Sequence, residues 1–353
     1  MSSNKRLLAL DAIRGLAVIG MYIQHFASNS TNAFVSGNTM ILFVLCSGIS
    51  YSLMFKKYSH LESQKAFRVK ILVRSIFIDL IGYGIILLNA PFGIVLPAYA
   101  ILYLISIPLL SMDDDMLILW ISLSYIACPI IMVIGLSYLS GSVLLADIAG
   151  GPLSAVAWLP VFSLGILIGR MELNNPKIQK NLLILGTTIL IPAKLFALSV
   201  LPKLFKITEK IMMTNYDKQA SDFAIWPNNV GQINWTMLFV DAPQGGSSFE
   251  LLIGTGGCLI FIATLLYLES KLPKLISLFS KVGQVSLTMY VLQFIFAWGV
   301  GISGSNVVDW EIGNFFLGDI GIFILVVAIG LGIQKMNLAI FEKNVRKFEK
   351  KFI

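Results

Sequence analysis

Residues 8–27 read LALDAIRGLAVIGMYIQHFA, a mostly apolar run that nevertheless contains an aspartate, an arginine and a histidine. An apolar run of about 20 residues is long enough to cross a bilayer as a helix. Ionisable side chains are costly inside a membrane and are usually kept there for chemistry or transport. The histidine, His25, is one of two in the whole chain. We therefore predict a first membrane helix that carries functional groups.

The composition of the whole chain supports this interpretation. Of its 353 residues, 57% are hydrophobic and 13% are charged, and the mean hydropathy is +0.83. Soluble domains carry about 25% charged residues, so the composition predicts an integral, multi-pass membrane protein. Apolar runs of about 20 residues favour helices over a β-barrel. Asp11 and Arg14 argue against a cleaved signal peptide in the first run.

We predict an all-α fold, a bundle of about ten transmembrane helices in a single membrane-embedded domain over residues 1–353. Each span is an apolar run of membrane-spanning length. The predicted spans are 8–27, 38–55, 73–90, 94–111, 116–136, 153–170, 182–200, 249–268, 282–303 and 314–334.

Lysines and arginines are concentrated in alternate connections between these spans. Residues 335–353, after the last span, form a basic amphipathic tail. The positive-inside rule places both termini in the cytoplasm, with the tail on the inner leaflet. Residues 201–247 then form the one sizeable outer-face loop, which we interpret as a lid, an acceptor platform or a connector. The net charge of +7 reflects this sidedness, so we expect no nucleic-acid partner.

The cysteines give no sign of a metal or disulfide site. Cys46, Cys128 and Cys258 all fall inside predicted spans and show no metal-ligand spacing. We therefore expect no bound metal.

The ionisable residues of the first span share one face of the predicted helix. Arg14 and His25 are eleven positions apart, which at about 100° per residue brings them within roughly 20° of each other. Asp11, three residues before Arg14, lies on the same face. Asp11 and Arg14 are then expected toward the inner side of the membrane, and His25 near the outer boundary. An arginine at this depth needs a partner or water.

Carboxylates in other spans are candidate partners for these groups. Asp79, about six residues into the third span, matches the expected depth of Arg14, and Asp11 is the local alternative. Glu250 opens the eighth span from outside and is expected level with His25, where it would orient the imidazole. The structural alternatives are an Arg14–Asp79 pair that only fixes helix packing and a glutamate that is favoured by the helix dipole.

Three further polar residues lie in predicted spans, Ser47 in the second and Tyr290 and Gln293 in the ninth. Together with Asp11 and Asp79, we assign them to the substrate or donor path. Ser47 also fits a small-residue position in helix packing.

A histidine at the outer end of a helix face and an arginine deeper in it suit two functions. Histidine is the usual general base near neutral pH, and it would deprotonate an acceptor hydroxyl or amine, or carry an acyl group itself. The arginine would hold a phosphate or a polarised carbonyl. A donor from the cytoplasm and an acceptor outside fit this polarity. A proton-coupled transporter or flippase of an amphipathic solute fits it as well.

Four segments carry a recognisable order of motifs. Residues 6–21 place an Arg before Asp-x-x-Arg-Gly, with His25 downstream. Residues 43–48 read Phe-x-x-x-Ser-Gly, and residues 162–170 read Phe-x-x-Gly-x-x-x-Gly-Arg. Residues 283–293 read Gly-x-x-Ser-Leu-x-x-Tyr-x-x-Gln. This order resembles a superfamily of integral membrane acyltransferases, which includes acyltransferase family 3, the heparan-alpha-glucosaminide N-acetyltransferase-like proteins and related bacterial proteins of unassigned function.

The resemblance implies an acyl-CoA co-substrate, acetyl-CoA first, that is reached from the cytoplasm. It implies a carbohydrate or lipid-linked acceptor on the outer face, and catalytic or donor-binding roles for Arg14 and His25. With Glu250, these residues form our predicted catalytic set. The expected location is the plasma membrane of a prokaryote, and the expected partners are membrane lipids, acyl-CoA, the acceptor and a second copy of the chain. The chain lacks a further histidine before the fourth span, so an inactive scaffold is a third hypothesis.

Overall fold

The computed structural model describes residues 7–27, 32–58, 61–212, 233–302 and 316–352. All regular structure within these ranges is helical, which confirms the predicted all-α fold of a polytopic membrane protein. The helices are α1 (Leu8–Phe26), α2 (Asn38–Phe55), α3 (Leu61–Ile86), α4 (Leu96–Ile105), α5 (Asp114–Leu139), α6 (Val143–Ala149), α7 (Ala155–Arg170), α8 (Pro176–Ser199), α9 (Leu201–Met212), α10 (Ser248–Lys271), α11 (Pro273–Gly283), α12 (Ser286–Ile302), α13 (Phe316–Lys335) and α14 (Ile340–Phe352).

Each of the ten predicted spans coincides with one of these helices, and α6, α9, α11 and α14 are additional. Five described segments are long and apolar enough to cross a membrane, and the count is six when α11 and α12, which meet at a bend of 58°, are taken as one span. Ionisable residues interrupt α1 and α3, and α4 and α7 are shorter apolar helices. The five segments are Ala33–Tyr58, Asp114–Leu139, Pro176–Ser199, Ser248–Lys271 and Gly318–Lys335.

The predicted outer-face loop, residues 201–247, contains more structure than the sequence pattern indicated. It begins with the amphipathic helix α9 and includes a 3-10 turn at Trp235–Phe239. Residues 213–232 lie outside the described ranges. The choice between a lid, a platform and a connector therefore stays a prediction.

Glycines allow α2 and α7 to pack with their backbones in contact. A Cβ atom on Gly48 would lie 2.2 Å from the carbonyl oxygen of Phe162, and one on Gly165 would lie 2.4 Å from that of Leu45. Small residues at such crossings are typical of membrane helices, because dispersion contacts replace the hydrophobic effect there. Gly48, the glycine of the Ser-Gly pair in α2, therefore serves in helix packing.

The crossing of α1 and α11 is closer still. A Cβ atom on Gly283 would lie 1.7 Å from the carbonyl oxygen of Asp11, and one on Gly15 would lie 2.3 Å from that of Phe279. No side chain larger than hydrogen fits at these two positions without a backbone shift. The crossing therefore fixes the rotation and depth of the segment of α1 that carries its charged residues.

The first turn of α1 is held by α10. The carboxylate of Glu269 accepts hydrogen bonds from the backbone N–H groups of Leu8 and Ala9, both at 3.2 Å. The first N–H groups of a helix have no partner within the helix, so a carboxylate at this position satisfies them. The helix dipole also favours a negative charge at this end.

We expect Gly48→Ala to lower the free energy of unfolding by about 1–3 kcal/mol, because the added methyl group overpacks the α2–α7 crossing. Thermal unfolding of the detergent-solubilised protein measures this change. The matched control is Gly257→Ala in α10, where nothing lies within 4 Å of the added Cβ atom. Equal losses in the two variants would contradict the packing explanation.

Candidate functional site

A cavity of about 270 Å³ lies among α1, α2, α3, α4, α12 and α14. Three of the predicted site residues, Arg14, Ser47 and Tyr290, line it. The lining continues from arginines near α14 to apolar side chains near the outer ends of α1 and the start of α2, Met21 and Met40. The cavity therefore extends from the predicted cytoplasmic side toward the outer part of the bundle.

Arg14 is held at the cavity wall by its own helix and by α2. Its Nη1 donates to the carboxylate of Asp11 at 2.9 Å, and its Nη2 donates to the hydroxyl of Ser50. That hydroxyl in turn donates to the carbonyl oxygen of Cys46 at 2.6 Å. Asp11 is buried, whereas 25% of the Arg14 side chain is exposed. The pair leaves part of the guanidinium facing the cavity.

The predicted pair of Arg14 with Asp79 is wrong, and the local alternative, Asp11, is the partner that the structure shows. Asp79 instead lies near the like-charged Asp147 of α6, whose carboxylate accepts a hydrogen bond from Tyr83 at 2.8 Å. Burial raises the pKa of Asp147. The rotation of α3 about its axis directs Ile78, and not Asp79, into the cavity.

His25 lies at the outer end of α1 between an aromatic ring and an amide. Its ring stacks on Phe92, with centroids 4.0 Å apart and an angle of 6° between the planes. Its Nδ1 lies 3.1 Å from Oε1 of Gln293 in α12. An amide oxygen only accepts, so this contact assigns the ring proton to Nδ1 and the lone pair to Nε2.

Gln293 and Tyr290 of α12 connect the histidine to the cavity. Tyr290 lines the cavity, and its hydroxyl accepts a hydrogen bond from the backbone N–H of Val95 at 3.3 Å. Gln293, one turn further along α12, is fully buried, and its Nε2 has no hydrogen-bond partner among the residues that the structure describes. Buried polar atoms without partners are uncommon and call for an explanation.

Glu250 does not orient His25, so this expectation is wrong. Its carboxylate accepts hydrogen bonds from the backbone N–H groups of Gln244 at 2.5 Å and Gly246 at 2.7 Å. The hydroxyl of Ser247 accepts from the backbone N–H of Glu250 at 3.1 Å, which caps α10. The carboxylate is thus used to hold the loop before α10, in a variant of the capping box that the Ser-x-x-Glu sequence signals.

Residues that sequence reasoning missed form two parts of the site. Phe92, in the connection between α3 and α4, had no signal beyond being aromatic, yet it covers one face of the His25 ring. Arg74 of α3 and Arg346 of α14 line the cavity. Both belong to basic segments that the sequence analysis used only to assign sidedness.

In comparisons with known proteins, one family model matches the N-terminal part of the chain. Residues 6–90 match the model of a family described as OpgC protein, an OpgC-like acyltransferase family. The match covers α1, α2 and α3, and so includes Arg14, His25 and Ser47. No curated protein matches the chain. The match supports a membrane acyltransferase in general terms, and membership of the superfamily that the motifs resemble stays a prediction.

We expect Glu250→Gln to lower the free energy of unfolding by about 1–3 kcal/mol, because the buried side chain accepts two backbone hydrogen bonds and the substitution replaces one of the accepting oxygens with an NH₂ donor. The matched control is Asp241→Asn, which weakens a partly exposed pair with Lys194 and should cost less than about 1 kcal/mol. Thermal unfolding in detergent compares the two. Equal effects would contradict the structural role of Glu250.

Proposed function

We propose that the protein transfers an acyl group, acetyl first, from a cytoplasmic acyl-CoA to a carbohydrate or lipid-linked acceptor on the outer face of a prokaryotic plasma membrane. The observation that carries the proposal is the course of the cavity, from arginines near α14 to Met21 and Tyr290. His25 and Gln293 each lie one helical turn, about 5.4 Å, beyond those two residues. The contact of His25 in α1 with the amide of Gln293 in α12 therefore lies just past the outer end of the cavity.

The arginines and the apolar outer part of the cavity suit the two halves of an acyl-CoA. Guanidinium groups bind phosphates through several hydrogen bonds at once. The pantetheine arm and acyl group are less polar, and they would occupy the region near Met21 and Met40. A thioester that enters in this direction brings its carbonyl carbon toward His25.

His25 is the proposed general base. With its proton on Nδ1, the Nε2 lone pair removes the proton of an acceptor hydroxyl or amine, and the acceptor oxygen or nitrogen attacks the thioester carbonyl carbon. The carbon–sulfur bond breaks, and the thiolate of CoA takes the proton from the imidazolium. Transient transfer of the acyl group to the imidazole itself is the second route that this geometry serves. Neither route uses a metal.

Gln293 is the proposed positioning residue. Its Oε1 accepts from Nδ1 of His25 and keeps the basic nitrogen of the ring on the opposite edge. Its Nε2 is a buried donor that would be satisfied by an oxyanion at the thioester carbonyl. Both contacts matter more in the transition state than in the bound substrate.

We expect His25→Ala to lower the transfer rate by about 10²–10⁴-fold, the usual contribution of a general base. The assay uses sealed vesicles with the purified protein, supplies labelled acetyl-CoA on the cytoplasmic side, and measures CoA release and labelled outer-face acceptor. The matched control is His60→Ala, which removes the other histidine of the chain.

Two results would contradict the proposal in different ways. Unchanged transfer in His25→Ala would exclude His25 as the base. Counterflow of a solute without consumption of CoA would favour the proton-coupled transporter or flippase, in which the Asp11–Arg14–His25 face conducts protons.

We expect Gln293→Leu to lower kcat by about 10–100-fold with KM for acetyl-CoA nearly unchanged, because the lost contacts act after the donor is bound. Gln293→Glu should restore part of kcat, since a carboxylate also accepts from Nδ1. The measurement is the dependence of initial rate on acetyl-CoA concentration. A rise in KM with constant kcat would instead assign Gln293 to donor binding.

A further inference from the structure

The helix α14, which the sequence predicts to lie on the inner leaflet, forms a wall of the cavity. Glu342, Val345 and Arg346 line the cavity from α14. The helix packs on α3 and α12, with the rings of Phe77 and Phe348 at 5.6 Å between centroids. A helix whose amphipathic pattern indicated an anchor thus also covers the predicted cytoplasmic side of the cavity.

Two carboxylates hold α14 in this position. Glu342 accepts from the backbone N–H of Thr288 at 2.9 Å and from its hydroxyl at 2.5 Å. Glu349, which is 5% exposed, accepts from Nε of Arg74 at 2.6 Å and lies 3.7 Å from Nζ of Lys70. The contact of Glu349 is therefore made to an arginine that itself lines the cavity.

The charges of the described cavity lining do not balance. It contains three arginines and one glutamate. Arg14 is compensated by Asp11. Where α14 meets α3, Arg74, Arg346 and Lys70 carry three positive charges, and Glu342 and Glu349 carry two negative ones. The contact with Glu349 uses one of the five N–H donors of the Arg74 guanidinium. One positive charge is therefore in excess at this end of the cavity.

We propose that Arg74 and Arg346 form a binding site for a phosphate-bearing ligand from the cytoplasm, and that Glu349 occupies Arg74 until this ligand arrives. A phosphate monoester carries a charge of about −1.5 to −2, and it offers three acceptor oxygens. A carboxylate carries a single charge, so a phosphate replaces Glu349 on Arg74 and releases that end of α14. The inference rests on the proposed function in one respect, that the ligand is the acyl-CoA donor.

The first experiment measures binding of coenzyme A, and of inorganic pyrophosphate, to the full-length purified protein by calorimetry. We expect Arg74→Gln and Arg346→Gln each to weaken binding about tenfold, as for loss of a charged hydrogen-bond donor. We expect Glu349→Gln to tighten it several-fold, because the competing carboxylate is gone. Arg68→Gln is the matched control, since Arg68 is an exposed arginine of α3 outside the lining.

The second experiment measures the position of α14 without any ligand. Ser47→Cys places a thiol on the cavity wall, and the native Cys46, Cys128 and Cys258 are buried and contribute little background. We expect Glu349→Gln to raise the rate of labelling by an anionic methanethiosulfonate from the cytoplasmic side at least about fivefold. The control is Ser111→Cys at an exposed position. Its thiol should react at the same rate with and without Glu349→Gln.

The outcomes separate this inference from the proposed function. If Glu349→Gln weakens or does not change both the binding of coenzyme A and the labelling of the Ser47→Cys thiol, the inference is overturned. Acyl transfer would still be measurable in that case. If the substitutions of Arg74 and Arg346 weaken binding of coenzyme A but no acyl transfer is detected, only the proposed function is overturned. Absence of binding by both coenzyme A and pyrophosphate would overturn the site itself. If Glu349→Gln fails to fold, Glu349→Asp tests the same contact, with faster labelling expected from its shorter side chain.

Discussion

The backbone contact of α1 with α11 at Gly15 and Gly283 is the constraint on which the rest of the site depends. It leaves no room for a Cβ atom on either helix, so α1 cannot rotate or slide without breaking it. Asp11 and Arg14 belong to the same turns of α1, and their positions are therefore set by a contact between backbones. The second glycine crossing, between α2 and α7, fixes the helix that supplies Ser50 to Arg14.

The helix α12 follows α11 after a bend of 58°. It contacts α1 through the Tyr22 hydroxyl, which donates to the carbonyl oxygen of Met289 at 2.8 Å, and through Gln293 beside His25. Near the cavity, α12 contributes Tyr290; one turn further, it contributes Gln293 to His25. The rigid crossing near one end of α1 and the amide contact at the other thus place an arginine on the cavity wall and a histidine one turn beyond Met21, which also lines the cavity. This arrangement suits a reaction whose donor and acceptor come from opposite sides of the membrane.

The sequence predicted the helices well because hydrophobic run length is a local property that each span satisfies by itself. It also singled out Arg14 and Tyr290, which line the cavity, and His25 and Gln293, which contact each other, since polar residues in apolar runs are conspicuous. It failed for partners from other helices, because helix rotation decides whether Asp79 or Ile78 enters the cavity, and no local pattern encodes that rotation. Glu250 was misassigned although its capping sequence was readable, and the contacts of α14 depend on residues more than 50 positions away.

The pairing of Arg14 with Asp11 has a consequence for biogenesis. The two residues are three positions apart on one helix, so α1 neutralises its own buried charge as soon as it is helical. A charged side chain in the bilayer is costly unless it is paired, and the N-terminal part of a chain is synthesised first. Had Arg14 depended on Asp79, α1 would have had to wait for the third helix. With Asp11 as partner, α1 can enter the membrane alone and serve as the template on which later helices assemble.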